Sequence, residues 1–125
     1  MHAPRLEEAI AQYGDEAFLL TVGESGPHTS SVRVHLEGNT VTCSLGRSAG
    51  KNIAAQPNVS LFWPPQEKGG YALIVNGTAS TAETAGDTPV AEIRLTKSVF
   101  HRAGARDDSR EGPCTADCKP IQPAG

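Results

Sequence analysis

Cysteine is scarce and odd in number, three in 125 residues, which excludes a fully paired disulfide framework. Basic residues are outnumbered, 11 Lys and Arg against 14 Asp and Glu, for a formal charge of −3 and an isoelectric point near 5.7. That balance excludes a general binder of nucleic acid or of anionic membrane, either of which needs a basic face. No apolar run approaches the roughly 20 residues that span a bilayer. The first residues lack the apolar centre of a secretion signal. The expectation is a soluble, cytoplasmic protein with no membrane and no nucleic-acid partner. No internal repeat appears, and no Ser-His-Asp or Cys-His arrangement is readable. Asp15, Asp87, Asp107, Asp108 and Asp117 all fall in expected loops or in the C-terminal stretch.

What is present is short periodic runs separated by turns. Residues 4–12 predict a helix, with Leu6, Ala9, Ile10 and Tyr13 on one stripe and Gly14 as its stop. Residues 17–22 are an apolar run of strand length. Residues 28–37 alternate, with Val32, Val34 and Leu36 on one face and Ser31, Arg33 and His35 on the other. Gly38-Asn39 signals a hairpin into residues 40–45, where Val41, Cys43 and Leu45 share a face. Further strands are expected at 59–63, 71–81 and 90–100, with Gly77 marking a bulge or bend. A polar connection spans 83–89. About six antiparallel strands with short helices interposed predict a small, mainly β barrel over residues 1–102. Residues 103–125 are rich in Gly, Pro and charge and read as a polar, flexible tail.

The stretch from Leu45 to Pro57 organises the rest. Gly46 and Gly50 open it, Arg47, Ser48 and Lys51 sit among them, and a short helix runs to the stop at Pro57. A glycine turn entering a helix leaves backbone N–H groups free, and the helix dipole favours negative charge there. Arg47 and Lys51 add charge and Ser48 a hydroxyl donor, a set that suits a phosphate. The same residues also read as an ordinary strand-to-helix connection with solvated cations.

Other residues carry two readings each. Arg33 is either a contact to an anion or a solvated strand residue. Trp63 either stacks on a planar ring or packs in a core. His28 and His35, seven apart, lie on opposite faces of one strand, so they do not share a metal. Cys43 reads as a small core residue. Cys114 and Cys118 lack the spacing and the second pair of a zinc site, and their role is open.

The order of these elements resembles the pyridoxamine 5'-phosphate oxidase-like family of FMN-binding split barrels. The resemblance covers residues 6–100. It rests on Gly46 to Pro57, on Val59-Ser60-Leu61-Phe62-Trp63, and on the apolar run that meets Gly77 between Leu73 and Ala79. It implies a homodimer holding FMN, or alternatively a deazaflavin coenzyme, at the subunit interface. Arg47, Ser48 and Lys51 would then hold the phosphate, and Asn52 would support the turn. The backbone and side chains around Val32, Arg33 and Val34 would lie along the isoalloxazine ring or ribityl chain, and Tyr71 would reach the cofactor from the partner chain. Relatives carry adjacent Arg-Lys after the turn, where this chain has Arg47-Ser48-Ala49-Gly50-Lys51. Pyridoxine-phosphate oxidases end in a strand bearing Trp, Arg and Pro, whereas the one Trp here is Trp63, so a vitamin B6 oxidase is not expected. The implied function is an oxidoreductase exchanging hydride with a small organic substrate, with no catalytic side chain assigned. The rivals are a flavin-binding protein without turnover and a cofactor-free barrel dimer acting through protein contacts.

Overall fold

A computed structural model describes residues 5–82, 89–103 and 116–121. Helix α1 (Leu6–Tyr13) buries Leu6, Ala9 and Ile10, the stripe that its spacing predicts. The Glu8 carboxylate accepts the Arg5 N–H at 3.4 Å. Five strands and a second helix follow: β1 (Glu16–Gly23), β2 (Gly26–Glu37), β3 (Thr40–Ser44), α2 (Arg47–Ala55), β4 (Asn58–Trp63) and β5 (Ala72–Ala82). The long β6 (Val90–Ala103) and the short β7 (Ala116–Pro120) complete the chain. No helix among the described residues is long and apolar enough to cross a membrane.

The first three strands form the expected antiparallel meander. β1 also pairs with β4, β4 with β5, and β5 with β6. β3 pairs with β6 as well as with β2, which closes six strands into a barrel. Closure leaves no long free edge and requires side chains to alternate between interior and exterior. Along β1 the alternation is strict: Ala17, Leu19 and Thr21 point inward, Phe18 and Val22 outward. Val41, Leu61, Leu73, Val75 and Ile93 meet Leu19 in the centre, none more than 1% exposed. Trp63 belongs to this core at 1% exposure, and its indole N–H donates to the Gly14 carbonyl at 2.9 Å. The packing reading of Trp63 therefore holds.

Gly77 is the bulge that the sequence indicates. The β5–β6 register slips between Asn76 and Gly77. A Cβ at Gly77 would lie 2.6 Å from both the Arg94 carbonyl and Ile93 Cγ2, so only glycine fits where the strands press together.

The C-terminal stretch departs from expectation. The boundary at residue 102 is not a break in the sheet, because β6 runs on to Ala103 and β7 pairs with its second half. The physical reason is that backbone pairing alone can extend a sheet without apolar alternation. Ile121 then anchors the strand, 8% exposed, its N–H donating to the Ser98 carbonyl at 3.0 Å. Pro4, the connection at 83–88, Asp87, Asp107, Asp108 and Cys114 lie outside the described residues.

Candidate functional site

Helix α2 is built by local rules. Gly46 precedes it in an extended conformation and makes no side-chain cap, so the first-turn N–H groups are left to solvent or a ligand. Gln56, held extended before Pro57, closes the helix by donating its N–H to the Asn52 carbonyl at 2.7 Å. Ala49 and Ile53 are buried one turn apart and seat the helix on the barrel. The next face round, Ser48, Lys51, Asn52 and Ala55, turns toward the end of β1.

Between that face and Val22, Gly23 and Glu24 lies a cleft of about 810 Å³. Asn52 sets its width. Its Nδ2 donates to the Thr21 hydroxyl at 3.0 Å, and Thr21 is 1% exposed. A Cβ on Gly23 would stand 2.7 Å from Asn52 Oδ1, so the close approach of helix to strand depends on a glycine there. Among the described residues Lys51 and Arg47 form no ion pair, so both cations are available to an anion. The cleft thus offers an ammonium and a hydroxyl beside the apolar Val22 and Ala55, with the uncapped first turn of α2 at its Ser48 end, a donor set that fits a phosphate ester.

Of the residues implied by resemblance, Ser48, Lys51 and Asn52 come together on this cleft. Arg47 stands exposed at the first position of α2, outside the residues that line it. Val32 and Val34 point into the core, 9% and 6% exposed, so their side chains face away from any surface ligand. Arg33 is on the outer face, its guanidinium 3.6 Å from Asp15 and 3.4 Å from Glu16. Tyr71 stands just before β5, its ring 6.1 Å from that of Phe100 and under the Arg102 guanidinium at 4.5 Å. Its carbonyl accepts the Tyr13 hydroxyl at 2.6 Å, and burial raises the Tyr13 pKa. Neither Arg33 nor Tyr71 lines the cleft.

Sequence reading missed Thr21, Gly23 and Glu24. Thr21 sits inside an apolar run and carries no local signal, because its role arises only when α2 lands on β1. His28 and His35 fall on opposite faces of β2, as their spacing requires. His28 Nδ1 and Ser30 Oγ are buried on the inner face without a hydrogen-bond partner among the described residues.

No protein-family model matches the sequence. Uncharacterized protein Mb0449c of Mycobacterium bovis is 30% identical over 128 aligned residues, spanning 91% of this chain and 89% of the relative. Uncharacterized protein MT0457 of Mycobacterium tuberculosis gives the same figures. Among solved structures, a Listeria innocua protein named for pyridoxamine 5'-phosphate oxidase superposes with a TM-score of 0.63 at 18% identity, over 75% of this chain and 94% of its own. An F420 reductase gives 0.61 at 19% identity, over 76% and 97%. HutZ, a heme storage protein of Vibrio cholerae, gives 0.59 at 17%, over 74% and 91%. Likeness at these identities is likeness of fold.

Proposed function

The chain belongs to the family of those two mycobacterial proteins and has the pyridoxamine 5'-phosphate oxidase-like split-barrel fold of its structural neighbours, and on that premise we propose that it is an FMN-dependent oxidoreductase. One observation carries the reading: the cleft under α2, where Ser48 and Lys51 stand beside apolar Val22 and the uncapped first turn of the helix begins at the Ser48 end. When bound, FMN supplies hydride transfer, the step that side chains cannot perform themselves. This chain's part is to bind, orient and exclude water. Lys51 and Ser48 hold the phosphate, Asn52 fixes the helix that bears them, and Arg47 adds positive potential at the mouth. A deazaflavin coenzyme is the second candidate, because the same donors would take its phosphate, and one neighbour is named an F420 reductase.

A second copy of the chain completes the site. The outer face of a barrel ordinarily meets water, yet here Phe18, Phe62, Ile74 and Val99 stand in one cross-strand row. None belongs to the core, and Phe18 is 38% and Val22 47% exposed. Apolar rows of this kind mark interaction faces. This one lies on β1, β4, β5 and β6, next to the cleft, so a partner seated on it would shield a bound ring from water.

The absorbance spectrum of the purified protein tests the cofactor, and oxidation of reduced nicotinamide tests the activity. A flavin spectrum with steady turnover is expected. A flavin spectrum without turnover would leave a flavin-binding protein, and a colourless protein that FMN does not restore would end the reading.

A further inference from the structure

We propose that the outer face of β3, β6 and β5, just past the Gly77 bulge, carries a second small-molecule site. It takes a free amino acid as the zwitterion, with Arg94 on the carboxylate and Glu92 on the ammonium. The site is a hollow of about 370 Å³ lined by Thr40, Thr78, Ala79, Ser80, Glu92 and Arg94. It shares no lining residue with the cleft under α2, so it stands independently of the flavin reading. Its size falls within the range of small-ligand sites.

The sheet builds it. Along β6 the buried Ala91, Ile93 and Leu95 alternate with Glu92 and Arg94, so both charges stand on the outer face. Two residues of extended strand separate their Cα atoms by about 7 Å, a span that two long side chains close around a small ligand. The register puts hydroxyls on both flanks. Arg94 pairs with Thr40 of β3 and with Thr78 of β5, and Glu92 pairs with Ser80. The register slip between Asn76 and Gly77 falls just before Thr78, and a slip of this kind bends the strand and re-aims the side chains after it. Asn39 pins the β2–β3 hairpin beside the site. Its Nδ2 donates to the Leu95 carbonyl at 3.2 Å, and its own carbonyl accepts the Leu95 N–H at 3.1 Å. Neither Arg94 nor Glu92 makes an ion pair or a side-chain hydrogen bond among the described residues. Opposite charges left unpaired on one wall suit a ligand that carries both signs: the guanidinium fork matches a carboxylate, and the carboxylate of Glu92 accepts an ammonium. Other ligand classes meet an obstacle here. A hard cation finds a single carboxylate with a guanidinium beside it, and a phosphate finds Glu92. The flanking hydroxyls select a small, polar side chain on the amino acid.

The test is an amide NMR titration of the full-length protein with L-serine and with its two halves. Ethanolamine lacks the carboxylate, and 3-hydroxypropanoate lacks the amine. Expected are saturable shifts centred on Thr40, Thr78 and Ser80, with affinity at least about tenfold lower for each half than for serine. Arg94→Gln and Glu92→Gln each remove one charge from an exposed position, so the fold is kept. Each should weaken serine by at least about tenfold. Arg94→Gln should also erase the gap between serine and ethanolamine, and Glu92→Gln the gap between serine and 3-hydroxypropanoate. Equal binding of serine and 3-hydroxypropanoate by the wild-type protein would reduce the site to an anion contact at Arg94 and overturn the assignment. No saturable shift at these amides would overturn it too, as would variants that bind serine like the wild type.

Discussion

Asn52 ties the helix that lines the cleft to the strand beneath it, through one hydrogen bond to a buried threonine. Removing its partner leaves a polar group poorly satisfied, so Thr21→Val should cost about 1–3 kcal/mol in urea unfolding. Lys51→Ala should leave stability within about 0.5 kcal/mol, because an exposed cation without an ion pair supports no fold contact. Cys43 gives a prediction in pH. Burial pushes its thiol from an ordinary 9.0 up to about 11. A raised folded pKa means stability is intact below pH 9 and is lost as pH climbs toward 11. Cys43→Ala should flatten that decline in thermal unfolding, whereas an equal decline in both proteins would show that the thiol titrates alike in the folded and unfolded chain. At this scale the sequence is legible where function is contiguous. Ser48, Lys51 and Asn52 lie within two turns of one helix, so one stretch reveals them. For Val32 and Val34 the alternation that identifies their strand also turns their side chains inward, so only the backbone there is left to face a surface ligand.

Two glycines govern how the elements fit together. Gly23 lets α2 approach β1, and Gly77 lets β5 approach β6. Gly77→Ala places a methyl against a backbone carbonyl and should destabilise by about 1–3 kcal/mol or more, read in chemical denaturation. Gly23→Ala meets only the end of a side chain, so Asn52 and α2 should shift. Ligand affinity should then fall more than stability, and an unchanged affinity would show that the cleft does not depend on this approach. The six barrel strands were readable because each carries an alternation or a short apolar run and is bounded by glycine or proline. β7 was not. Its stretch has no apolar period, and its pairing with β6 depends on a long strand that offers one edge to β3 and then to β7. Closure of the barrel through β3 and β6 was inferred from strand count, and the specific pair was beyond reach because it joins residues some fifty apart.

For the whole molecule the main question is what covers the outer apolar row. If a second copy does, Phe18→Asp should shift sedimentation from dimer to monomer while the β-sheet circular dichroism stays unchanged. A monomeric wild-type protein would contradict it. The apolar row and the cleft both lie along the outward side of β1, through Phe18 and Val22, so a bound cofactor and a second copy would meet there. The most direct measurement is a fluorescence titration of FMN into the wild-type protein and into a Ser48→Ala, Lys51→Ala double variant. Saturable quenching by the wild type and affinity lower by at least about tenfold in the variant are expected, each charge-assisted contact contributing about 1.5–3 kcal/mol. Equal affinity for both proteins would contradict the placement of a phosphate under α2.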